Sequence, residues 1–387
     1  MKVLLVHNFY QQPGGEDQVF EAEGALLEQH GDQVIRYTVH NDQISRMNQA
    51  EILATTLWNR GTLRDVGDLL RKEGPQVVHV HNTFPLISPS VYSAAAAAGV
   101  RVVHTLHNYR LLCPMAEFFR DGKVCEDCLG RVPWPGIVHA CYRGSRVASG
   151  TVATMLTVHR LLGTWQRKVS VYIALTDFAR KKFIEGGLPA DRLVVKPNFV
   201  EPDPGAGEGR GGYALFVGRL AASKGVETML EAWERVWTRA GTPLWIVGDG
   251  PLRDRVQASA GRLEGVRWLG RRSREEVLEF MRDAVLLIFP SEWYEGLPVV
   301  ILEAYATGLP VVASDLGSMA TIVENGRTGI HFQPGNAADL AEKVAAILSQ
   351  PAAVAVMRKE ARLEFEARYT ANRNYDQLMR IYSGPGD

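Results

Sequence analysis

Ala284-Val285-Leu286-Leu287-Ile288-Phe289, followed by Pro290-Ser291-Glu292-Trp293-Tyr294-Glu295-Gly296-Leu297-Pro298-Val299-Val300-Ile301-Leu302-Glu303, is the stretch that sets the architecture. The first six residues form an unbroken apolar run of strand length, as expected of a strand covered on both faces in a parallel sheet. Pro290, Gly296 and Pro298 end it, and Pro298 suits the first helical position, where a missing N–H costs nothing. The predicted helix, Val299 to Ala306, is apolar all round except for Glu303. A charge on such a helix needs a partner or a polar ligand. Glu295 then lies in the loop facing the free N–H groups and Glu303 in the second turn, so each carboxylate reaches a different part of one ligand over the helix end. The competing reading makes Glu303 a solvated edge residue or the mate of a core arginine.

Outward from this stretch, short runs rich in Val, Ile and Leu alternate with helix-length amphipathic segments along nearly the whole chain, the pattern of βαβ units. Strands are predicted at Lys2–Val6, Gln33–Tyr37, Val77–Val80, Arg101–Thr105, Val169–Ala174 and Leu193–Lys196. A second set follows at Tyr213–Val217, Leu244–Val247, Val266–Leu269, Val285–Phe289, Val311–Ser314 and Gly329–Phe332. Between the sets, Pro197 to Gly212 is too rich in proline and glycine to form an element and reads as a linker. The fold class is therefore α/β, with two doubly wound parallel-sheet domains at 1–196 and 213–371. A last helix at 372–387 is expected to cross back to the first domain. Such sheets bind ligands beyond the carboxyl ends of their strands.

A chain of 387 residues exceeds one comfortable core, which agrees with two domains. Apolar residues are 46% and charged residues 22%, as in an ordinary globular protein. Lys plus Arg equals Asp plus Glu at 43 each, so no global field attracts nucleic acid, and any anion site must be local. Met1 to His7 reads as a first strand, its apolar stretch being too short for a signal peptide. No window has about 18 uninterrupted apolar residues, so no spanning helix is expected. A cytoplasmic location is expected, with peripheral contact at the inner membrane face as an option.

After the first strand of the second domain comes Gly218-Arg219-Leu220-Ala221-Ala222-Ser223-Lys224-Gly225. Its glycines permit close backbone approach and its two cations can clamp a diphosphate; the alternative is a solvated basic loop. Gly248-Asp249-Gly250-Pro251-Leu252-Arg253 mimics a dinucleotide fingerprint, but Arg253 stands at the third glycine, which argues against NAD.

In this order and on these strand ends, the motifs resemble those of the retaining glycosyltransferases of family 4. That resemblance implies a GT-B fold, two facing Rossmann-like domains with an interdomain cleft, and a nucleotide-sugar donor such as a UDP- or GDP-sugar. It places Arg219 and Lys224 on the donor diphosphate, Glu303 on the ribose hydroxyls and Glu295 against the donor sugar as a catalytic residue. Gly15, Gly248, Gly296 and Leu297 join the donor side, with Arg271 and Arg272 where a base-contacting loop would fall. In the first domain His107, within His104-Thr105-Leu106-His107-Asn108-Tyr109-Arg110, resembles the family's active-site histidine; a buried hydrogen-bonded histidine is the alternative. Gly14, Glu16 and Asp17, in Pro13-Gly14-Gly15-Glu16-Asp17, open a helix whose free N–H groups could meet phosphate or acceptor, or form a plain strand-to-helix turn. The implied mechanism retains anomeric configuration by same-face attack, the departing diphosphate oxygen taking the acceptor proton. The chain has no Asp-x-Asp pair, so no catalytic metal is expected.

All four cysteines fall at Cys113, Cys125, Cys128 and Cys141. Cys-x2-Cys between two outliers matches a structural zinc site; free thiols, disulfides and an iron–sulfur cluster are the alternatives. The insert they occupy has few regular elements and would form one wall of the acceptor cleft. Gly144 to Val169 reads as a basic amphipathic helix, either packed on its own domain or lying on an anionic membrane. The acceptor is expected to be a glycan, a lipid-linked sugar or a small molecule. An epimerase or phosphorylase on the same fold, or a non-catalytic binding subunit, remain alternative readings.

Overall fold

A computed structural model describes residues 1–12 and 14–384; Pro13, which heads the Pro13–Asp17 motif, lies outside the described residues. The chain divides into two compact units: Met1–Phe118 with Cys125–Asn198 and the segment from Asn374 onward, and Phe119–Val124 with Phe199–Arg373. The first unit holds strands β1 (Lys2–Phe9), β2 (Gln33–His40), β3 (Val77–Val80) and β4 (Arg101–Leu106). A small antiparallel hairpin, β5 (Phe119–Arg120) and β6 (Lys123–Val124), interrupts it before β7 (Val171–Ala174) and β8 (Leu193–Val195). The second unit holds β9 (Ala214–Val217), β10 (Leu244–Val247), β11 (Val266–Gly270), β12 (Leu286–Phe289), β13 (Val311–Ser314) and β14 (Gly329–Phe332).

Both large sheets are six-stranded and parallel, in the orders β2-β1-β3-β4-β7-β8 and β11-β10-β9-β12-β13-β14. In each, the chain winds outward one way and then the other, so the order reverses between β1 and β3 and again between β9 and β12. β3, β12 and β13 are buried at every residue, and β12 accordingly reads as a continuous apolar run, while β3 and β13 bury His79 and Ser314. The second core gathers Phe216, Met229, Trp233, Leu244, Ile246, Ile288 and Val344; burying each such side chain contributes roughly 1.5–3 kcal/mol.

The final helix, Ala371–Ser383, places Leu378 and Tyr382 in the first unit's core beside Val3, Leu5, Phe20 and Val103. Asn374 Nδ2 donates to the carbonyl of Pro197 at 3.0 Å. The segment read as a linker is not loose. The amides of Gly207, Gly209 and Gly211 donate to the carbonyls of Thr307, Arg282 and Asp283 at 2.8–3.0 Å. A Cβ on Gly207 would collide with the Arg282 backbone, so glycine is needed there for close approach. Its composition signals docking onto the second unit.

Candidate active site

In the second unit the loops after β9 and β12 meet at the point where the strand order reverses. Gly225, in the left-handed region at φ 66°, turns the chain into the helix Val226–Ala240, and any Cβ there would strike the Pro290 carbonyl. The amide of Glu292 donates to the Ser223 carbonyl at 2.8 Å. Held this way, Lys224 Nζ donates to Glu295 Oε1 at 2.6 Å and lies 4.9 Å from the centre of the Trp293 ring. The same oxygen accepts from Ser291 Oγ and Trp293 Nε1, both at 2.7 Å. Glu295 is thus a buried carboxylate with three donors on one oxygen. Lys224, expected on a diphosphate, is committed to Glu295. Arg219 is exposed, and among the described residues no hydrogen bond or ion pair engages its guanidinium.

Glu303 is buried in the second turn of the helix Val299–Ala306, for which Pro298 is the capping residue rather than the first helical one. Its carboxyl is pushed above the usual range by burial, and Arg274 opposes that rise. Arg274 Nε donates to Glu303 Oε1 at 2.9 Å, while its Nη1 donates to the Glu201 carbonyl. Arg274 is the first residue of a helix fixed by the Ser273–Glu276 capping box. Arg272 pairs instead with Glu276 at 3.4 Å, half exposed to solvent.

Gly248, expected on the donor, serves the turn: at φ 144° a Cβ would strike the Gly218 carbonyl. The two loops are zipped by Gly218 N–H to Val247 O at 3.0 Å and Leu220 N–H to Asp249 O at 2.9 Å. Leu297 is buried and Gly296 is partly exposed just before the helix.

The first unit carries a buried polar chain near its own point of reversal. Lys196 Nζ sits 2.5 Å from Glu23 Oε1, both fully buried. Glu23 Oε2 lies 3.3 Å from His81 Nε2, and neither atom finds a better hydrogen-bond partner. His81 Nδ1 lies 3.0 Å from His107 Nε2. Lys196 and His81 hold the Glu23 carboxyl well below the usual range against the upward pull of burial. Burial lowers His81 and drives His107 well down, so both rings are neutral at pH 7. With the His81 proton on Nε2, on the side of the Glu23 carboxylate, its Nδ1 accepts from His107 Nε2–H; this is the tautomer the charge of Glu23 favours. His107 Nδ1 is left as an acceptor. His79, a strand neighbour of His81 on the same face, bonds Tyr382 OH at 2.7 Å and Thr105 Oγ1 at 2.8 Å.

The residues expected on the acceptor side separate. Asp17 is buried, accepting from the Gly14 amide at 2.8 Å and bonding His7 Nε2 at 2.6 Å, so it is occupied in capping its own helix. Glu16 accepts from Asn108 Nδ2 at 2.9 Å, and burial pushes its carboxyl up to about 7. Gly15 is exposed, with nothing within 4 Å of where a Cβ would stand.

The four cysteines are free of disulfides, with Cys113 and Cys128 buried. Burial first, and then repulsion from the other three, push the Cys128 thiol up to about 12. Among the described residues no three of their sulfurs lie within 4.8 Å of one another; the only such trio of metal-ligand types is Glu23, His79 and His81, where Lys196 already neutralises the carboxylate. The expected tetrathiolate shell is not assembled. The Cys-x2-Cys spacing sets how far apart the sulfurs can be, not where their side chains point.

Comparison with known proteins identifies both domains. Glycosyl transferases group 1 matches residues 206–364, and the glycosyl transferase 4-like domain matches residues 13–198. The second unit thus carries a domain of the glycosyl transferases of group 1, and the first a glycosyl transferase 4-like domain.

The chain is 31% identical over 235 residues to alpha-D-kanosaminyltransferase of Streptomyces kanamyceticus, an overlap of 56% of this chain and 61% of the relative. It is 32% identical over 253 residues to phosphatidyl-myo-inositol mannosyltransferase of Mycobacterium tuberculosis, an overlap of 60% of this chain and 65% of the relative. The matched part thus spans less than two thirds of either relative. Anabaena Alr3699/HepE, solved in complex with UDP, superimposes with a TM-score of 0.70 at 18% identity, covering 99% of this chain and 100% of that one. At that identity the likeness is one of fold, and the fold is GT-B.

Sequence reasoning missed five residues of the polar network. Arg274 could have been found from the capping box Ser273-x-x-Glu276, which fixes where its helix starts, combined with the need of Glu303 for a partner. His79 and His81 are spaced two apart across the end of the apolar strand Val77–Val80 and so share a face, a visible signal. Glu23 and Lys196 carry none, being 173 residues apart.

Proposed function

We propose that this protein transfers a sugar, with retention at the anomeric carbon and without a divalent metal, from a nucleotide diphosphate to a glycan, lipid-linked or small-molecule acceptor. The observation that carries the reading is the pairing of Lys224 with buried Glu295, beside the unengaged Arg219, where strand order reverses in the second sheet. Ligands of open α/β sheets bind outside such a point. Arg219 takes the diphosphate, and Lys224, held by Glu295, adds a fixed positive charge against the leaving oxygen. Glu303 accepts from the ribose hydroxyls with Arg274 keeping it ionised. His107 Nδ1, bare because of the His81 and Glu23 chain, accepts from a sugar hydroxyl. The UDP in the HepE complex supports a uridine donor. A panel of nucleotide sugars in EDTA, scored by thermal shift and by release of nucleotide on adding acceptor, tests this: stabilisation by one UDP-sugar is expected, and no stabilisation by any donor would refute it.

We further infer that the four cysteines hold one structural zinc ion by closing inward. The Cys-x2-Cys spacing supports this, with burial and then the other three sulfurs raising the Cys128 thiol, a state that a bound cation would reverse. Zinc analysis of the purified full chain should find one ion per chain; none would leave the residues as free thiols.

A further inference from the structure

The helix Arg146–Leu161 buries Val152, Ala153, Met155, Leu156 and His159 against its own unit. Its opposite face shows Val147, Val158 and Leu161 at intervals of eleven and three residues, one stripe at helical spacing, continued by Leu162. This stripe is exposed: Val147 is 63%, Leu161 80% and Leu162 56% accessible. The short helix Trp134–Val138 adds Val132, Trp134 (58% accessible) and Val138. Arg160 Nη1 donates to the Arg131 carbonyl at 2.9 Å, tying the two apolar groups together. Scattered exposed apolar residues are ordinary, but a connected group of this kind marks an interaction surface.

Charge identifies the occupant. The chain as a whole is neutral, yet from Arg131 to Thr176 it contains no Asp or Glu, while Arg131, Arg143, Arg146, Arg160, Arg167 and Lys168 all fall there. Arg167 Nη2 donates to the Leu162 carbonyl at 2.7 Å, setting a cation at the edge of the apolar stripe. A second copy of this face would bring arginines against arginines, and a hydrophobic core partner would not need them. Apolar side chains including a tryptophan, on a stretch of chain whose only charged side chains are cations, suit the boundary of an anionic bilayer. No single helix among the described residues is long and apolar enough to cross a membrane. We propose that residues 131–139 and the outer face of Arg146–Leu162 dock the protein onto an anionic lipid surface.

Co-sedimentation of the full chain with vesicles of phosphatidylcholine, with and without phosphatidylglycerol, tests this. Binding is expected only with phosphatidylglycerol and should weaken as salt rises. The double variant Leu161→Ser, Leu162→Ser should bind roughly tenfold more weakly or worse. The matched pair Val356→Ser, Leu363→Ser, also exposed but in the second unit, should bind as the parent does. Equal binding to both vesicles, no binding to either, or parental binding by the Leu161, Leu162 variant would each overturn the proposal. So would a dimer in vesicle-free solution that this variant dissolves. Thermal unfolding of both variants, expected to match the parent, separates loss of docking from loss of fold.

Discussion

Arg274 donates from Nε to Oε1 of Glu303 at 2.9 Å, so the one acid on an otherwise apolar, buried helix is neutralised by the first residue of a neighbouring helix. The reading of Glu303 as the mate of an arginine is the one the structure bears out; the ligand role proposed above rests on its second carboxylate oxygen.

Removing that partner should show in pH dependence. Burial already raises the Glu303 carboxyl, and Arg274→Met deletes the opposing effect. Donor binding that needs ionised Glu303 is lost as pH falls through the carboxyl's pKa. In Arg274→Met the loss should therefore begin at higher pH than in the parent. Donor affinity measured from pH 5 to 8 checks this, and superimposable profiles would count against it. The pair is half-buried on the arginine side, so the stability cost should be modest, about 1–2 kcal/mol.

Arg219 and Lys224 should separate. Arg219 is exposed and unengaged, so Arg219→Ala should change stability by less than about 0.5 kcal/mol. It should weaken the donor by about tenfold or more through a lost charge-assisted bond. Lys224→Met strips the charged donor from Oε1 of buried Glu295 and should cost about 1–3 kcal/mol of stability as well as turnover. Urea denaturation with donor titration of both variants reads the difference; equal stability losses would contradict it.

The chain from Lys196 through Glu23 and His81 to His107 should set a tautomer. Nitrogen chemical shifts of the parent should report His107 protonated on Nε2 and bare on Nδ1. The paired variant Glu23→Gln, Lys196→Met removes the charge without leaving one buried alone, and should release His107 into a tautomer mixture with reduced turnover. A parent ring protonated on Nδ1 would refute the derivation.

Glu16 offers a second pH test. Its folded-state carboxyl is raised to about 7, above its unfolded value. It therefore contributes stability that is complete below the unfolded value and is lost as pH rises toward 7. Glu16→Gln should flatten the stability profile between about pH 4.5 and 7. An unaltered slope would show that Glu16 titrates normally.

Much of this was legible in the sequence because the governing signals are local. The run Ala284 to Phe289, broken by Pro290, gave a strand end, and apolar residues around Glu303 gave a buried helix. Most of the buried large-sheet strands announced themselves in the same way, while β2, with Arg36 and Thr38 inside it, did so by alternation. Glu23 with Lys196 was not legible, since the two are remote in sequence and only sheet order brings them together, whereas Arg274 with Glu303 was legible in part, through the capping box that starts the helix of Arg274. Glycine was ambiguous for a related reason. Gly248 and Gly207 look like ligand-loop and linker glycines, but each is small because another backbone passes close by. The thiols are a third case, since spacing fixes chain length between ligands and not the direction of each sulfur.

The most direct test of the central claim is calorimetric titration of the full chain with UDP-sugar in EDTA, for the parent and for Glu303→Ala. Metal-free binding by the parent, weakened about tenfold or more in Glu303→Ala, is the expected result. Unchanged affinity in the variant, or parental binding that appears only with a divalent metal, would contradict it.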